Sequence, residues 1–232
     1  MKNKIFILLL IFLSLTACDK ELLNLNSLTE PVDATFFSNE DELELALIGI
    51  YNTLVYTGAG GLPMPVVMEN SATDIAIARQ FEGGNGFGEL GAGTHSPTSG
   101  IYRNNYSHHY VAIGRSNSLI QNMEKAQELV DPDKYSEIEA QAKVIRAYHY
   151  MMLTELYGDV PLVLETFRSI EEGLVPRIEK SKVVDQILQD LETASSSLPN
   201  TWGTSDQGKI TKGVALALKS RIALYNERYD VA

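Results

Sequence analysis

The sequence predicts an all-α fold of tetratricopeptide-like helical pairs, an α-α superhelix, with long irregular loops set between some of the helices. Apolar side chains recur at three- and four-residue spacing in nearly every stretch after residue 35, which is the period of an amphipathic helix. A set of small, basic and aromatic residues in one such stretch returns 75 positions later, room for two helix-turn-helix units of tetratricopeptide length. Residues 57–100 hold ten glycines and three prolines, a density that no regular packed element tolerates.

The chain opens with MKNKIFILLLIFLSLTA, residues 1–17, where Lys2 and Lys4 precede an unbroken apolar run from Ile5 to Leu13. That order is a bacterial secretion signal, and the run is too short to remain as a membrane span. Leu15-Thr16-Ala17-Cys18 follows, and a small residue before a cysteine at this point resembles the lipobox of bacterial lipoproteins. Cleavage there makes Cys18 the new N-terminus and the lipidation site. Cys18 is the only cysteine in 232 residues, which excludes disulfides within the mature chain. Residues 18–38 read as a lipidated tether and N-terminal extended segment, and residues 39–232 as the helical domain.

Removal of Lys2 and Lys4 leaves 17 basic against 30 acidic side chains, a net charge of about −13. Such a surface repels phosphates, and the nearest basic residues, such as Lys209 and Lys212, are separated by neutral positions, so nucleic acid is excluded as a partner. Nor does an acidic surface adsorb on an anionic bilayer, so membrane attachment falls to the lipid.

Along the chain, Ser38-Asn39-Glu40-Asp41 supplies a capping residue and first-turn acids, and the spacing of Leu43, Ala46, Leu47, Ile50 and Leu54 predicts a helix from about Asn39 to Val55. The run Glu82-Gly83-Gly84-Asn85-Gly86-Phe87-Gly88 lacks both a preceding β-branched strand and a following Lys-Ser/Thr, so it is no phosphate cradle. An amphipathic pattern returns from Ile101 to about Leu129, with Tyr102, Tyr106, Tyr110, Ile113, Asn117, Ile120 and Met123 close to one face. Asp131-Pro132-Asp133 opens the next helix, through Ile138, Ala142, Ile145, Tyr148 or His149, Met152 and Leu156. Gly158 and Pro161 stop it. Ser181 is expected to cap a helix carrying Val184, Ile187, Leu188 and Leu191, and Thr211 to open one carrying Val214, Leu218, Ile222 and Tyr225.

Ala140, Ala142, Arg146 and Tyr150 match Ala215, Ala217, Arg221 and Tyr225 at the constant offset. Small residues let two helices approach, and the tyrosine one turn past the arginine is expected to fill the groove between them. These repeats occupy residues 133–232. Tyr148, Tyr150, Met151, Met152, Leu153, Leu156 and Tyr157 wrap most of their helix, which is therefore expected to be buried on several sides.

His108 and His109 are adjacent and point about 100° apart on a helix, and His95 and His149 have no histidine or carboxylate at a ligand spacing. No metal site is expected. No cofactor motif is present either. Glu69 with Asp74, or Glu82 with Glu89, pair only on paper as the two carboxylates of a glycosidase, and there is no Gly-x-Ser-x-Gly or cysteine nucleophile. No catalytic residue is assigned.

The motifs LTAC, FFSNEDELELALIGIYNTL, YVAIGRSNSLIQNM, AQAKVIRAYHYMMLTELYGDVPLV and TKGVALALKSRIALY, in this order, resemble the SusD/RagB family of outer-surface nutrient-binding lipoproteins of Bacteroidota. The resemblance implies a helical fold of tetratricopeptide-like pairs with ligand-facing loops. It implies a lid on a SusC-like TonB-dependent β-barrel transporter, located on the cell outer membrane through the lipid anchor and facing the cell surface. Such lids capture glycans, or peptides in some branches, and are not enzymes. Family members run to roughly double this length, so the repeats are expected to be truncated. The resemblance carries Asp74, in MENSATDIA, over as a ligand-binding acid, and the loop beyond it offers Arg79, Phe81, Asn85 and Phe87. Aromatic faces and planar polar groups of these types suit a sugar. Tyr106 stands where the family often has tryptophan, and Trp202 matches an aromatic that packs a turn. The competing reading is a tetratricopeptide-like scaffold that binds another protein and no nutrient, but a scaffold has no need of the 44-residue insertion at 57–100.

Overall fold

The structure, a computed structural model, describes residues 36–55, 70, 73–75, 87–167 and 169–232. Helix α1 spans Glu40–Tyr51 and runs into a 3-10 turn, Asn52–Val55. Its start is built by a reciprocal box: Asn39, in extended backbone, accepts the Glu42 amide on Oδ1 at 3.0 Å, while the Glu42 carboxylate reaches back to the Ser38 amide at 2.8 Å. That backbone hydrogen bond holds the exposed Glu42 carboxyl below its usual range. Leu43, Leu47 and Ile50 form the buried stripe.

Helix α2, Phe87–Gly91, is short, and α3 spans Gly100–Asn122 before tightening into a 3-10 turn at Met123–Ala126. Helix α4, Pro132–Tyr157, starts as its sequence demands. Pro132 occupies the first turn, where no amide donor is needed, and Asp131 Oδ1 accepts the amides of Asp133 and Lys134 at 3.0 and 3.2 Å. Gly158, at φ 71°, ends it. A two-stranded bridge, β1 (Val160–Pro161) with β2 (Arg177–Ile178), runs antiparallel and closes the connection to α5, Lys180–Ser197. Here the expectation is corrected. The helix begins one residue before Ser181, and the acceptor for the Lys180 amide is Asp159 Oδ1 at 2.9 Å, from across the bridge. Helix α6, Lys212–Tyr225, follows Thr211.

Helix α4 is the hub, packing on α1, α3 and α5, while α6 packs chiefly on α5. Burial follows from this position: Ile145, Tyr150, Met151, Met152 and Leu153 are all enclosed. Each fully buried aliphatic side chain of this size contributes roughly 1.5–3 kcal/mol. The buried arginine of the core is fully engaged. Arg146 donates from Nε and Nη2 to the two carboxylate oxygens of Asp190 on α5, both at 2.8 Å, and from Nη1 to Asn117 on α3 at 2.9 Å. The sharp Gly158–Pro161 turn has a purpose in the packing. It returns the chain across α3 and α4, where Tyr110 donates to the Pro161 carbonyl at 2.7 Å and Tyr150 clamps Val163.

The repeat holds only in part. Ala140 and Ala215 are both buried at helix contacts, but Tyr150 is wholly enclosed whereas Tyr225 is 60% exposed. The Arg221 guanidinium lies 5.4 Å from the Tyr225 ring and reaches Glu155 at 3.6 Å. Tyr225 therefore fills no groove between helices of the described residues, because only α5 covers its own helix closely. Val214, Leu216 and Leu224 are exposed beside it.

Candidate functional site

The sequence-assigned residues fall differently with respect to the described structure. Asp74 sits exposed in a turn at residues 73–75, where Thr73 Oγ1 donates to the Asn70 carbonyl at 3.0 Å. Phe87 contributes the first backbone position of α2. Arg79, Phe81, Asn85 and the lipidation residue Cys18 lie outside the described residues.

Where the Gly-rich segment re-enters the helical body, it meets aromatic side chains. Helix α2 turns off at Gly93, φ 68°, and His95 packs edge-on against Tyr102 of α3 with ring centroids 5.5 Å apart. Next along this face, Tyr106 stacks on Tyr110 at 4.9 Å and meets Tyr157 of α4 edge-on at 5.1 Å. Tyr157 donates to the Tyr102 carbonyl at 2.9 Å and accepts from Asn105 at 3.2 Å. The buried Asn105 Oδ1 has no partner among the described residues. Burial raises the pKa of Tyr102, Tyr110 and Tyr157, so all three hydroxyls stay protonated at neutral pH. This end of α3 and α4 thus gathers tyrosine rings and hydroxyls beside the described end of the Gly-rich segment at His95. The α-helical spacing of Tyr102, Tyr106 and Tyr110 was visible in the sequence. Their alliance with Tyr157 was not.

A separate groove of about 310 Å³ lies between α1 and the turn before α6, lined by Glu44, Leu47, Ile48, Tyr51, Gln207, Gly208 and Lys209. Its walls are tied together: Tyr51 donates to Gln141 at 2.7 Å and accepts the Ile210 amide at 2.8 Å. Trp202 Nε1 donates to the Ile210 carbonyl at 2.9 Å, so it packs this turn as the resemblance implies. The charges on the rim, Lys209 with Glu44 and Asp206 at 3.2 and 2.6 Å, already neutralise one another.

The third cluster was missed from sequence. His108 and His109 of α3 meet His149 of α4, with centroids 5.2 to 5.9 Å apart. The signal was present as polar residues at core spacing, Asn105, His109 and Ser116, on the helix face that also carries Ala112. Among the described residues no group of three or more His, Cys, Asp or Glu converges as a metal requires.

Residues 50–224 match a family model described as "Starch-binding associating with outer membrane", SusD-like_3. A SusD-like protein, P25, of Formosa agariphila is 22% identical over 201 residues, covering 84% of this chain and 38% of the relative. A SusD superfamily protein from Bacteroides vulgatus superimposes with a TM-score of 0.76 at 26% identity, over 85% of this chain and 42% of that one. A laminarin-binding SusD-like protein does so at 0.73 and 26%, over 82% and 41%. The chain spans less than half the length of each. With the match running from α1 to α6, this chain belongs to the SusD-like family.

Proposed function

We propose that the chain is the N-terminal helical portion of a surface lipoprotein that binds oligosaccharides and hands them to a TonB-dependent outer-membrane transporter without chemical turnover. The observation that carries this reading is the continuous family match across residues 50–224, which includes the Gly-rich segment as well as the helices. Two further features support it. The segment's end rests on a patch of tyrosines whose faces suit the C–H side of a pyranose and whose hydroxyls suit its oxygens, and a structural neighbour is a laminarin-binding protein. Cys18, acylated after cleavage, is proposed to hold the chain at the outer membrane, facing outward. Asp74, Arg79, Phe81, Asn85 and Phe87 are proposed to contact the glycan.

Calorimetric titration of the purified chain with laminarin, soluble starch and an oligosaccharide panel is the direct test, paired with purification of the lipidated protein from its own membrane in mild detergent. Binding of at least one glycan and a co-purifying β-barrel are the expected results. A well-folded chain that binds no glycan and brings down no barrel sinks the proposal. The exposed Val214, Leu216, Leu224 and Tyr225 on α6 favour a second reading, a scaffold that binds protein. In that case the co-purifying partner is a soluble protein.

A further inference from the structure

The hydrogen bonds around the three histidines determine where each proton sits. Thr53, in the 3-10 turn after α1, gives its single hydroxyl hydrogen to the Ile50 carbonyl at 2.6 Å. Its oxygen can therefore only accept from His149 Nε2, 3.0 Å away, so that nitrogen carries a hydrogen. The neutral ring then has a lone pair on Nδ1, which faces His109 Nδ1 at 2.9 Å. His109 must donate there, leaving the lone pair on its Nε2. That atom is buried and has no partner among the described residues. His108 Nε2 faces the Thr53 carbonyl at 2.8 Å and must likewise donate.

A proton added to His109 or His149 breaks this chain at a defined atom. If His109 becomes the cation, the new hydrogen is on its Nε2. If His149 becomes the cation, its Nδ1 now donates, His109 Nδ1 must accept, and His109's own hydrogen moves to Nε2. Either way an N–H is created inside the protein with no acceptor, which costs the desolvation of a charged group and of a donor together. Among the described residues no anion acts on His109 or His149 to compensate. From α3 the charged group facing the cluster is Arg115, a cation bonded to the Gly49 carbonyl at 3.0 Å. From α4 the Tyr148 ring lies 5.4 Å from His149. From α1 and its 3-10 turn, among the described residues, come the Thr53 hydroxyl and the Ile50 and Thr53 carbonyls, none of which titrates.

We propose that this Thr53–His149–His109 chain, with His108, is an acid-released latch that holds the Asn52–Val55 turn, the root of the Gly-rich segment, against α3 and α4. At neutral pH the chain is closed and the turn is fixed. In acid the histidines of the opened form take up protons that the closed form refuses, and the turn detaches. Desolvation is the largest cause lowering all three pKa values; repulsion from the neighbouring histidines adds to it at His109, held at about 4, and at His149, while at His108 the Thr53 carbonyl opposes it and Arg115 adds to it. The latch is independent of whether the ligand is a glycan.

The test is nitrogen-15 spectroscopy of the histidine rings together with amide exchange of residues 52–55 between pH 7 and pH 5, on the wild type and on His109→Asn. The asparagine amide retains a donor toward His149 but removes the Nε2 lone pair. At pH 7 the rings should show hydrogen on Nε2 of His149, Nδ1 of His109 and Nε2 of His108. Protection of residues 52–55 should fall about twentyfold for each histidine that stays neutral, relative to residues in α5, and by one histidine's factor less in the variant. A His109 ring protonated on Nε2 at pH 7, or equal pH dependence in wild type and variant, overturns the proposal. If His109→Asn does not fold, pH-independent protection in the wild type overturns it alone, and a fall confined to residues 52–55 supports it.

Discussion

Arg146 and Asp190 face each other across α4 and α5 in a two-pronged contact, both hydrogen bonds 2.8 Å long and both side chains almost fully enclosed. The pair joins two consecutive helices and, through Asn117, a third. Removing one partner strands the other charge. Arg146→Met is expected to cost about 3–5 kcal/mol in urea unfolding, and the double change with Asp190→Leu distinctly less than the sum of the singles. Additive losses would show that the two do not act as a pair.

Tyr150 and Tyr225 hold equivalent places in the repeat but do different things. The Tyr150 hydroxyl donates to the Val163 carbonyl at 2.8 Å and accepts the Val163 amide at 2.7 Å. Tyr150→Phe leaves that amide without its acceptor and should destabilise by about 1–3 kcal/mol. Tyr225→Phe, on an exposed face, should stay within about 0.5 kcal/mol of wild type. Thermal melts of the two variants side by side decide it.

Two glycines with open space around them should respond to alanine with opposite signs. At Gly158 the backbone has φ 71° and ψ −117°, a conformation that costs a residue with Cβ about 1–3 kcal/mol. Gly114 lies within α3, where alanine is the better helix former, and Gly114→Ala should stabilise by about 0.5–1 kcal/mol. A stabilising Gly158→Ala would contradict the positive φ.

The buried histidines set a pH window for stability. His109 has a pKa of about 4 in the folded chain against the usual 6.5. Above pH 6.5 both states are neutral and nothing is lost. Between 6.5 and 4 the unfolded chain binds a proton that the folded one does not, so stability falls by about 1.4 kcal/mol per pH unit and levels near 3 kcal/mol of loss below pH 4. Urea midpoints measured from pH 7.5 to 4.5 should fall at least this steeply, because His149 and His108 are lowered as well, and a flat profile would refute the assignment.

For the proposed glycan contacts, Asp74→Ala and Phe87→Ala are expected to weaken binding of the best ligand about tenfold or more. Asp74→Ala should leave the melting temperature unchanged, because Asp74 is exposed. Unaltered affinity in both variants would move the site elsewhere, with the tyrosines of α3 next in line.

The helices were readable because their signals are local. Asp131-Pro132 caps α4 with its own backbone neighbours, and the apolar period of α1 and α5 points straight at the core. What was not readable depends on distant partners. The acceptor for the start of α5 is Asp159, twenty-one residues before it, so a search for a cap beside Ser181 could not find it. Asp190 lies on the same face as Val183, Ile187 and Ala194, which marks it as buried but does not name Arg146. The histidines read as isolated because His109 and His149 are separated by 40 residues. As for the ligand set, the resemblance supplied it, and the part described, Asp74, stands exposed.

The small bridge of Val160 and Pro161 with Ile178 and Arg177 carries one more consequence. Because it and Asp159 pin both ends of the intervening segment, the segment is a closed bight whose length does not set the distance between α4 and α5. Its side chains, such as Ile170 and Leu174, are mostly exposed. The bight can be cut, shortened or lengthened while the helices on either side keep their registration, which makes it the natural place for this scaffold to acquire new surface.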